Sequence, residues 1–242
     1  MAHFYLSESA SDAAEGDTVA VTGAEARHAV TVGRLRVGER LSVGDGTGTI
    51  VDGIVSLVDP ERFELTVETS RFHLLPAPAI WLAQALAKGD RDELAIQTAT
   101  ELGVDGVIPW AAHRSIVRWD GAKVAKHRER WTSILREASK QSMRARIPEL
   151  RPVSTTKGLA QLGSQWRIVV LDPTADVGLG SLTLDDRDIL LVVGPEGGIA
   201  PAEQVQLASA GAIAATLGPH VLRTSTAGPA ALAVLSTTLG RW

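Results

Sequence analysis

Short segments rich in Val, Ile, Leu and Thr alternate with turns at the beginning of the chain. The turns contain Gly, Asp or Pro, a pattern that is typical of short β-strands. One segment, Ala24–Val32, has helical character instead. The pattern predicts a small β-barrel or sandwich. Its predicted strands are Thr18–Thr22, Glu39–Val43, Thr49–Val58 and Arg62–Glu68.

From Ile80 onward, strand-like and helix-like segments alternate. Ile80–Ala87 is apolar without strict alternation, as expected for a strand buried on both faces. Asp90–Leu102 has helical spacing and stops before Gly103, a typical helix end. This alternation predicts an α/β fold with a mostly parallel sheet. Further strands are expected at Gly106–Trp110, Arg167–Leu171, Asp188–Val193 and Ala212–Leu217, and helices at Lys126–Ala145, Pro201–Ala210 and Gly228–Leu239.

Two prolines in Leu74-Leu75-Pro76-Ala77-Pro78 interrupt regular structure between these regions. We therefore predict two domains, residues 1–73 and residues 79–242. Both parts of a 242-residue chain are long enough to bury a core.

Composition narrows the class of protein. No apolar run reaches the ~18–20 residues of a membrane span, and Met1–Ala10 lacks the basic-then-apolar plan of a secretory signal. Cysteine is absent, which excludes disulfides and thiolate metal sites. The six histidines lack metal-ligand spacing. We therefore expect a cytoplasmic protein without a membrane association or a bound metal.

Charge is distributed unevenly along the chain. The net charge is −4, but residues 1–75 carry 6 Lys/Arg against 12 Asp/Glu, whereas Arg114–Arg151 carries 11 against 4. A local basic stretch can attract phosphates even in an acidic protein. In the predicted helix Lys126–Ala145, three basic residues recur at four-residue spacing. This stripe is either a solvated surface or an RNA contact, and it consists of Arg136, Lys140 and Arg144.

A glycine-rich segment, Gly194–Gly198, lies between a predicted buried strand and the helix that opens at Pro201. Glycine allows a sharp turn and close approach of a ligand, and parallel sheets bind ligands at the carboxyl ends of their strands. Alone, the segment could equally be a simple turn. By contrast, Val43–Gly48 resembles a nucleotide loop but lies between two short strands, which predicts a hairpin turn.

A second glycine-containing loop strengthens the prediction of a ligand site. Leu217-Gly218-Pro219-His220 follows the next predicted strand, and Arg223 lies just beyond it in an otherwise apolar region. Arg223 could make a surface ion pair, but its position beside two such loops favours contact with a ligand.

Together these segments resemble the RsmE family of 16S rRNA methyltransferases, which belongs to the SPOUT superfamily. The resemblance runs in order over nearly the whole chain, and the combination is highly specific. The matching segments are Gly194-Pro195-Glu196-Gly197-Gly198 with Glu203, Leu217-Gly218, Leu222-Arg223-Thr224, Lys88-Gly89-Asp90-Arg91, Glu101-Leu102-Gly103, Arg114-Ser115, Trp131, Glu137-Ala138, Gln141-Ser142, Arg144, Ile147-Pro148, and His28 with Arg34.

The resemblance implies a PUA-like β-barrel that binds RNA, followed by a SPOUT domain with a C-terminal trefoil knot. It also implies a homodimer that uses S-adenosylmethionine to methylate N3 of uridine 1498, in standard rRNA numbering, in 16S rRNA of the 30S subunit. The expected cofactor-binding residues are Leu171, Gly194, Pro195, Glu196, Gly197, Gly198, Leu217, Gly218, Leu222, Thr224 and Ala227. The expected RNA-binding residues are His28, Arg34, Arg36, Lys88, Arg91, Arg136, Lys140 and Arg144.

Methylation of uridine N3 requires removal of its proton, and a positive group near the uracil oxygens favours the anion. We expect Arg223 to supply this charge, with Arg114 or Arg34 as alternatives. Glu196 is either the general base or a cap for the following helix. The sequence departs from the family at Ser225, where a glutamate is usual, so any carboxylate role is lost there.

Two other functions remain open at this point. Another SPOUT RNA methyltransferase activity is possible, although the full-length pattern favours the rRNA uridine type. A non-catalytic factor in ribosome assembly that binds RNA and keeps the cofactor fold is the second alternative, and Ser225 favours it.

Overall fold

A computed structural model describes residues 4–121 and 123–242 of the chain. The predicted first domain and the segment Met1–Ala10 both include residues 1–3, which lie outside the described residues. The chain forms two compact units. The first extends to Leu75 and includes Ser139–Ile147, and the second comprises Pro76–Ala138 and Pro148–Trp242.

The first unit contains one five-stranded sheet in the order β1-β3-β4-β5-β2. All four strands predicted here are confirmed. The additional strand β1 has only three residues, too few for a recognisable pattern, and it pairs in parallel with β3. The strands are β1 Phe4–Leu6, β2 Thr18–Thr22, β3 Arg40–Gly44, β4 Thr49–Asp59 and β5 Arg62–Phe72.

The two outer strands of this sheet are linked by side chains. The hydroxyls of Ser7 and Ser9, just after β1, both donate to the carbonyl of Ala20 in β2 at 2.8 Å. The sheet is therefore curled around its buried face, where Tyr5 packs edge-on against Phe63 with ring centroids 5.4 Å apart. Helix α1, Gly23–Arg27, continues as a wider π-helical turn, His28–Val32. It buries Ala26 and Ala29 in this core.

The segment Ser139–Ile147 belongs to the first unit although it lies far along the chain. The amide of Ile147 donates to the carbonyl of Gly46 at 2.9 Å. Arg146 donates to the carbonyl of His73 at 2.9 Å. The segment therefore completes the first unit, whereas the predicted domains were continuous stretches of chain.

The second unit contains a six-stranded sheet in the order β11-β9-β10-β6-β7-β8. All of its described strand pairs are parallel, which confirms the predicted α/β class. The central strands β6 and β10 are buried along their whole length, as expected for strands of a parallel sheet covered on both faces. The strands are β6 Ile80–Ala85, β7 Gly106–Trp110, β8 Glu149–Leu150, β9 Arg167–Leu171, β10 Ile189–Val193 and β11 Ile213–Ala215.

Five helices accompany this sheet in the described residues. α2 packs against α6, and α4 packs against α5. No helix within residues 4–121 and 123–242 is long and apolar enough to cross a membrane. The helices are α2 Arg91–Glu101, α3 Lys123–Gln141, α4 Thr156–Ala160, α5 Pro201–Ser209 and α6 Thr224–Thr238.

Two helices, α3 and α6, have bounds that differ from the prediction by three or four residues, and α3 begins at Lys123 rather than Lys126. α3 ends at Gln141 rather than residue 145, and Met143 beyond it has a positive φ of 54° that a helix cannot continue through. α6 begins at Thr224 rather than Gly228. Pro229 therefore lies inside α6 rather than in its first turn.

Candidate functional site

A cavity of about 580 Å³ lies at the carboxyl ends of the parallel strands of the second unit. Its wall is formed by the residues that follow β9, β10 and β11, with Arg91 from the start of α2. Because all these strands run in parallel, their carboxyl ends meet at one edge of the sheet. The cavity has the size of a typical pocket for a small ligand.

The structure brings most of the predicted cofactor residues together on this wall. Gly197 and Gly218 are in the same loops but are not part of the wall. Their role in cofactor binding stays a prediction. The predicted residues that line the cavity are Leu171, Gly194, Pro195, Glu196, Gly198, Leu217, Leu222, Thr224 and Ala227.

Glycine at two positions lets the loop after β10 form without strain. A Cβ on Gly194 would lie 2.8 Å from the side chain of Ile199, so any other residue would force Ile199 or the loop to shift. Gly198 has a φ of +70°, and its amide closes a turn by donating to the carbonyl of Pro195 at 2.8 Å. These glycines therefore let the backbone itself form the cavity wall.

A buried polar relay fixes this loop to the last helix. Gln84 in β6 is fully buried, and its Nε2 donates to the hydroxyl of Thr224 at 2.9 Å. That hydroxyl donates to the carbonyl of Gly194 at 2.8 Å. The relay thus joins β6, the glycine loop and the start of α6. Sequence reasoning missed Gln84, although an amide within the apolar run Ile80–Ala87 is a usable signal.

Glu196 is engaged in hydrogen bonds at the cavity wall. Its Oε1 accepts from the amide of Lys88 at 3.2 Å and from Arg91 at 2.8 Å. Burial of this carboxylate raises its pKa, but hydrogen bonds from its own amide, Arg91 and Lys88 outweigh burial and lower the pKa. A carboxylate with a lowered pKa is a weaker base.

Glu203, rather than Glu196, caps the helix that follows the glycine loop. The residue is only 7% exposed, and its carboxylate accepts from the amides of Ala200 and His113 at 3.2 and 2.9 Å. It also accepts from the hydroxyl of Thr156 at 2.6 Å. This one side chain therefore holds α5, α4 and the loop after β7 together.

Arg114, predicted as a catalytic alternative, follows the amide that Glu203 holds. It is exposed, and its Nη1 donates to the carbonyl of Gly197 at 2.9 Å. Arg114 is not part of the cavity wall. Arg114 therefore contacts the backbone of the glycine loop at Gly197, a residue that does not line the cavity.

Asp172 is a cavity residue that the prediction did not include. One carboxylate oxygen accepts from the amide and hydroxyl of Thr174 at 2.8 and 2.7 Å, and the other accepts from Gln204 at 2.9 Å. Asp172 follows the predicted strand Arg167–Leu171 directly, so its position at a strand end could have revealed it. A fixed carboxylate here can accept hydrogen bonds from a ligand.

Arg223 and His220 share the loop between β11 and α6, and both line the cavity. Both side chains are exposed, and neither forms a hydrogen bond or ion pair with any described residue. Ser225 is buried in the first turn of α6 and is not on the wall. The loop therefore presents one cation and one imidazole to a ligand.

The predicted RNA-binding residues are divided between the two units. His28, Arg34 and Arg36 are exposed in the first unit, and Arg34 has a left-handed backbone with a φ of 53°. Lys140 pairs with Glu25 at 3.0 Å, and their side chains are only 15% and 14% exposed. Part of the predicted basic stripe is therefore already neutralised.

The four other predicted RNA-binding residues lie in different environments. Lys88 and Arg91 lie beside Glu196, and Arg136 is half-buried in α3. Arg144 is half-buried in Ser139–Ile147, the segment that belongs to the first unit.

Among residues 4–121 and 123–242, no group of side chains has the composition of a metal site.

Two family profiles and several known proteins match this chain. A profile of the RNA methyltransferase domain matches residues 75–236, and a profile of the RNA methyltransferase PUA domain matches residues 21–68. The ribosomal RNA small subunit methyltransferase E of Mycobacterium bovis is 40% identical over 234 residues, which cover 94% of this chain and 89% of that protein. The Bacillus subtilis protein of that name is 32% identical, with 98% and 96% covered.

A solved structure resembles the whole chain as well. The ribosomal RNA small subunit methyltransferase E of Neisseria gonorrhoeae, bound to S-adenosyl methionine, has a TM-score of 0.87 and 28% identity, with 98% of each chain covered. The fold, the cavity and these matches define an RNA methyltransferase with an N-terminal PUA domain. Within that class, the chain belongs to the ribosomal RNA small subunit methyltransferase E family, RsmE.

Proposed function

We propose that this protein methylates N3 of a uridine in 16S rRNA, at position 1498, with S-adenosylmethionine as the methyl donor. The observation that carries the proposal is the cavity at the carboxyl ends of β9, β10 and β11, with Arg223 on its wall. The related protein of Neisseria gonorrhoeae is bound to this donor.

The residues of the cavity fit the chemistry of the donor. Leu171, Leu217 and Leu222 offer apolar surface to an adenine ring. Asp172 offers a carboxylate for the donor's hydroxyl or ammonium hydrogens. Backbone at Gly194 and Gly198 allows close approach. When bound, the donor supplies a methyl group that is activated by a positively charged sulfur.

The chain itself contributes position and charge. Cavity walls that hold two substrates in line supply much of the acceleration of a transfer reaction. The guanidinium of Arg223 stabilises the negative charge that develops on the uracil oxygens as N3 loses its proton. Glu196 contributes less as a base, because Arg91 and the amide of Lys88 already hold its carboxylate.

RNA binding is assigned to the PUA domain and to the cationic residues near the cavity. We propose that His28, Arg34 and Arg36 contact the rRNA backbone, which is recognised mainly through phosphate charge. We also propose that the PUA domain lies within residues 1–73 and the methyltransferase domain within residues 79–242, apart from Ser139–Ile147, which belongs to the first unit. The methyltransferase domain is proposed to carry the C-terminal knot of SPOUT proteins, and the protein to act on the 30S subunit as a cytoplasmic homodimer.

Methylation of purified 30S subunits tests the proposal. Subunits from cells that lack the modification are incubated with the protein and labelled donor, and the modified nucleoside is identified by mass spectrometry. N3-methyluridine at position 1498 is the expected product. A ribose-methylated or tRNA product would show another methyltransferase activity, and no product with firm RNA binding would show a non-catalytic factor.

A further inference from the structure

Five charged or titratable side chains line the cavity: Arg91, Asp172, Glu196, His220 and Arg223. The proposed reaction removes the proton of uridine N3, and a side chain of the cavity that accepts this proton would speed the reaction. Arginine stays protonated in proteins, which excludes the two arginines as acceptors. Three side chains remain, each from a different loop of the wall.

The two carboxylates are both held by donors. Glu196 accepts from Arg91 at 2.8 Å, and its pKa is lowered. Asp172 uses one oxygen for Thr174 and the other for Gln204. Because donors already hold these oxygens, neither carboxylate is a free acceptor for the N3 proton.

His220 differs from both carboxylates. Its imidazole is exposed at the wall and forms no hydrogen bond or ion pair with the described residues. It lies three positions before Arg223 in the same loop, between β11 and α6. An imidazole accepts protons near neutral pH, which suits general-base catalysis.

We propose that His220 is the general base of the methyl transfer, an inference that rests on the proposed function. An imidazole nitrogen takes the N3 proton, and the N3 electron pair forms the new bond to the methyl carbon. The electron pair of the broken carbon–sulfur bond stays on the sulfur, which becomes a neutral thioether. Arg223 stabilises the uracil oxygens during this step, and the imidazolium afterwards releases its proton to water.

The test is the pH dependence of kcat on 30S subunits for the wild type and His220→Gln. Glutamine keeps a hydrogen-bonding side chain but cannot take the proton. We expect kcat of the variant to fall about 10²-fold at neutral pH. Its rate should then rise about tenfold per pH unit, because it depends on spontaneous ionisation of N3. The wild-type rate should level off instead.

Two controls accompany this experiment. His73→Gln changes an exposed histidine of the first unit, outside the cavity, and should keep the wild-type profile. Calorimetry with S-adenosylhomocysteine should give a similar Kd for the wild type and His220→Gln, which shows that the cavity is intact. Added imidazole should restore activity to His220→Gly.

Two results would overturn the assignment while leaving the proposed function intact. One is an unchanged kcat and pH profile in His220→Gln. The other is a loss of cofactor affinity with kcat preserved, which would make His220 a cofactor contact. A wild-type protein that leaves the 30S uridine unmethylated overturns the proposed function, and the assignment falls with it.

Discussion

The carboxylate of Asp45 lies inside the turn between β3 and β4 and accepts from the amides of Thr47, Gly48 and Thr49 at 2.7 to 2.9 Å. Burial raises its pKa, but hydrogen bonds from Thr47 and Thr49 outweigh burial and lower the pKa from 3.8 to about 2. The segment Val43–Gly48 is therefore a hairpin turn held by its own aspartate, as predicted, and not a nucleotide loop.

Replacement of Asp45 by asparagine should destabilise the protein in a pH-dependent way. Since the folded pKa is depressed, the carboxylate contributes stability above about pH 4 that is lost as pH falls toward 2. We expect a loss of about 1 kcal/mol at pH 7, reduced by partial solvent exposure. Urea unfolding of the wild type and the variant between pH 7 and pH 3 measures this difference in the free energy of unfolding. Asp59→Asn, at an exposed site, is the control.

Arg223→Leu should reduce catalysis far more than cofactor affinity. The guanidinium has no ion pair with the described residues, so the change removes charge from the cavity without breaking a structural contact. We expect kcat on 30S subunits to fall about 10²-fold, with little change in the Kd for S-adenosylhomocysteine. An equal kcat in the variant would remove Arg223 from the mechanism.

Glu196→Gln should have a small effect on the chemical step. The side chains of Arg91 and Glu196 are 45% and 26% exposed, so loss of their ion pair should cost less than about 1 kcal/mol of stability. We expect kcat to stay within about tenfold of the wild type. A fall of a hundredfold or more, measured by the same 30S assay, would restore Glu196 as the base.

At the scale of elements, the start of α6 is positioned by side chains rather than by a cap of its own. Arg223 at its N-cap position makes no side-chain capping bond. Thr224 instead connects Gln84 in β6 with the carbonyl of Gly194. The loop that carries His220 and Arg223 therefore ends at a fixed point, which keeps both side chains at the cavity.

Thr224→Val tests this connection with a side chain of nearly the same shape. The change leaves the Nε2 of Gln84 and the carbonyl of Gly194 short of a partner, so the free energy of unfolding should fall by about 1 to 3 kcal/mol. Affinity for S-adenosylhomocysteine should weaken as well. Thr226→Val, at an exposed position of the same helix, is the matched control. Equal destabilisation of both variants would contradict a specific role of Thr224.

Strands with a continuous run of apolar or β-branched residues were predictable because this signal is local. Thr18–Thr22, Gly106–Trp110 and Arg167–Leu171 are strands with the bounds that the sequence predicts. β1 and β8 were not predicted, since two or three residues carry too little pattern, and α4 is a five-residue helix too short to show a helical period. β11 is also shorter than its predicted segment, because Leu217 and Thr216 belong to the cavity loop.

The candidate site was only partly predictable for a physical reason. Glycine loops at strand ends are visible in the sequence, because glycine marks turns and close approach. Asp172, Gln204 and Gln84 act through partners 32 to 140 positions away, and such pairs form only when the chain folds. The pairing of Lys140 with Glu25 was hidden for the same reason.

At the scale of the whole molecule, the discontinuous first unit changes the charge balance. Residues 1–75 alone have a balance of −6, and Ser139–Ile147 adds three basic residues and no acidic one. The first unit is therefore less acidic than its sequence suggests. Because the negative charge of this unit is smaller, it repels phosphate less. The exposed residues His28, Arg34 and Arg36 can therefore bind phosphate.

The double variant Arg34→Gln, Arg36→Gln should weaken rRNA binding with a smaller salt dependence. Removing one cationic partner of a phosphate reduces the slope of log affinity against log salt by about 1, so we expect a reduction of about 2. Binding of 16S rRNA at several salt concentrations measures the slope. Arg187→Gln, whose guanidinium pairs with Asp185 at 2.7 Å, is the control and should leave the slope unchanged. An unaltered slope in the double variant would argue against these phosphate interactions.

The return of Ser139–Ile147 to the first unit also constrains how this protein can be recombined. A fragment that stops at Leu75 leaves out the chain that bonds to Gly46 and His73, so its sheet would lose these supports. Exchange of the first unit between relatives therefore requires two separate inserts, one for the chain up to Leu75 and one for Ser139–Ile147. A chimera joined only at Pro76–Pro78 should fold poorly.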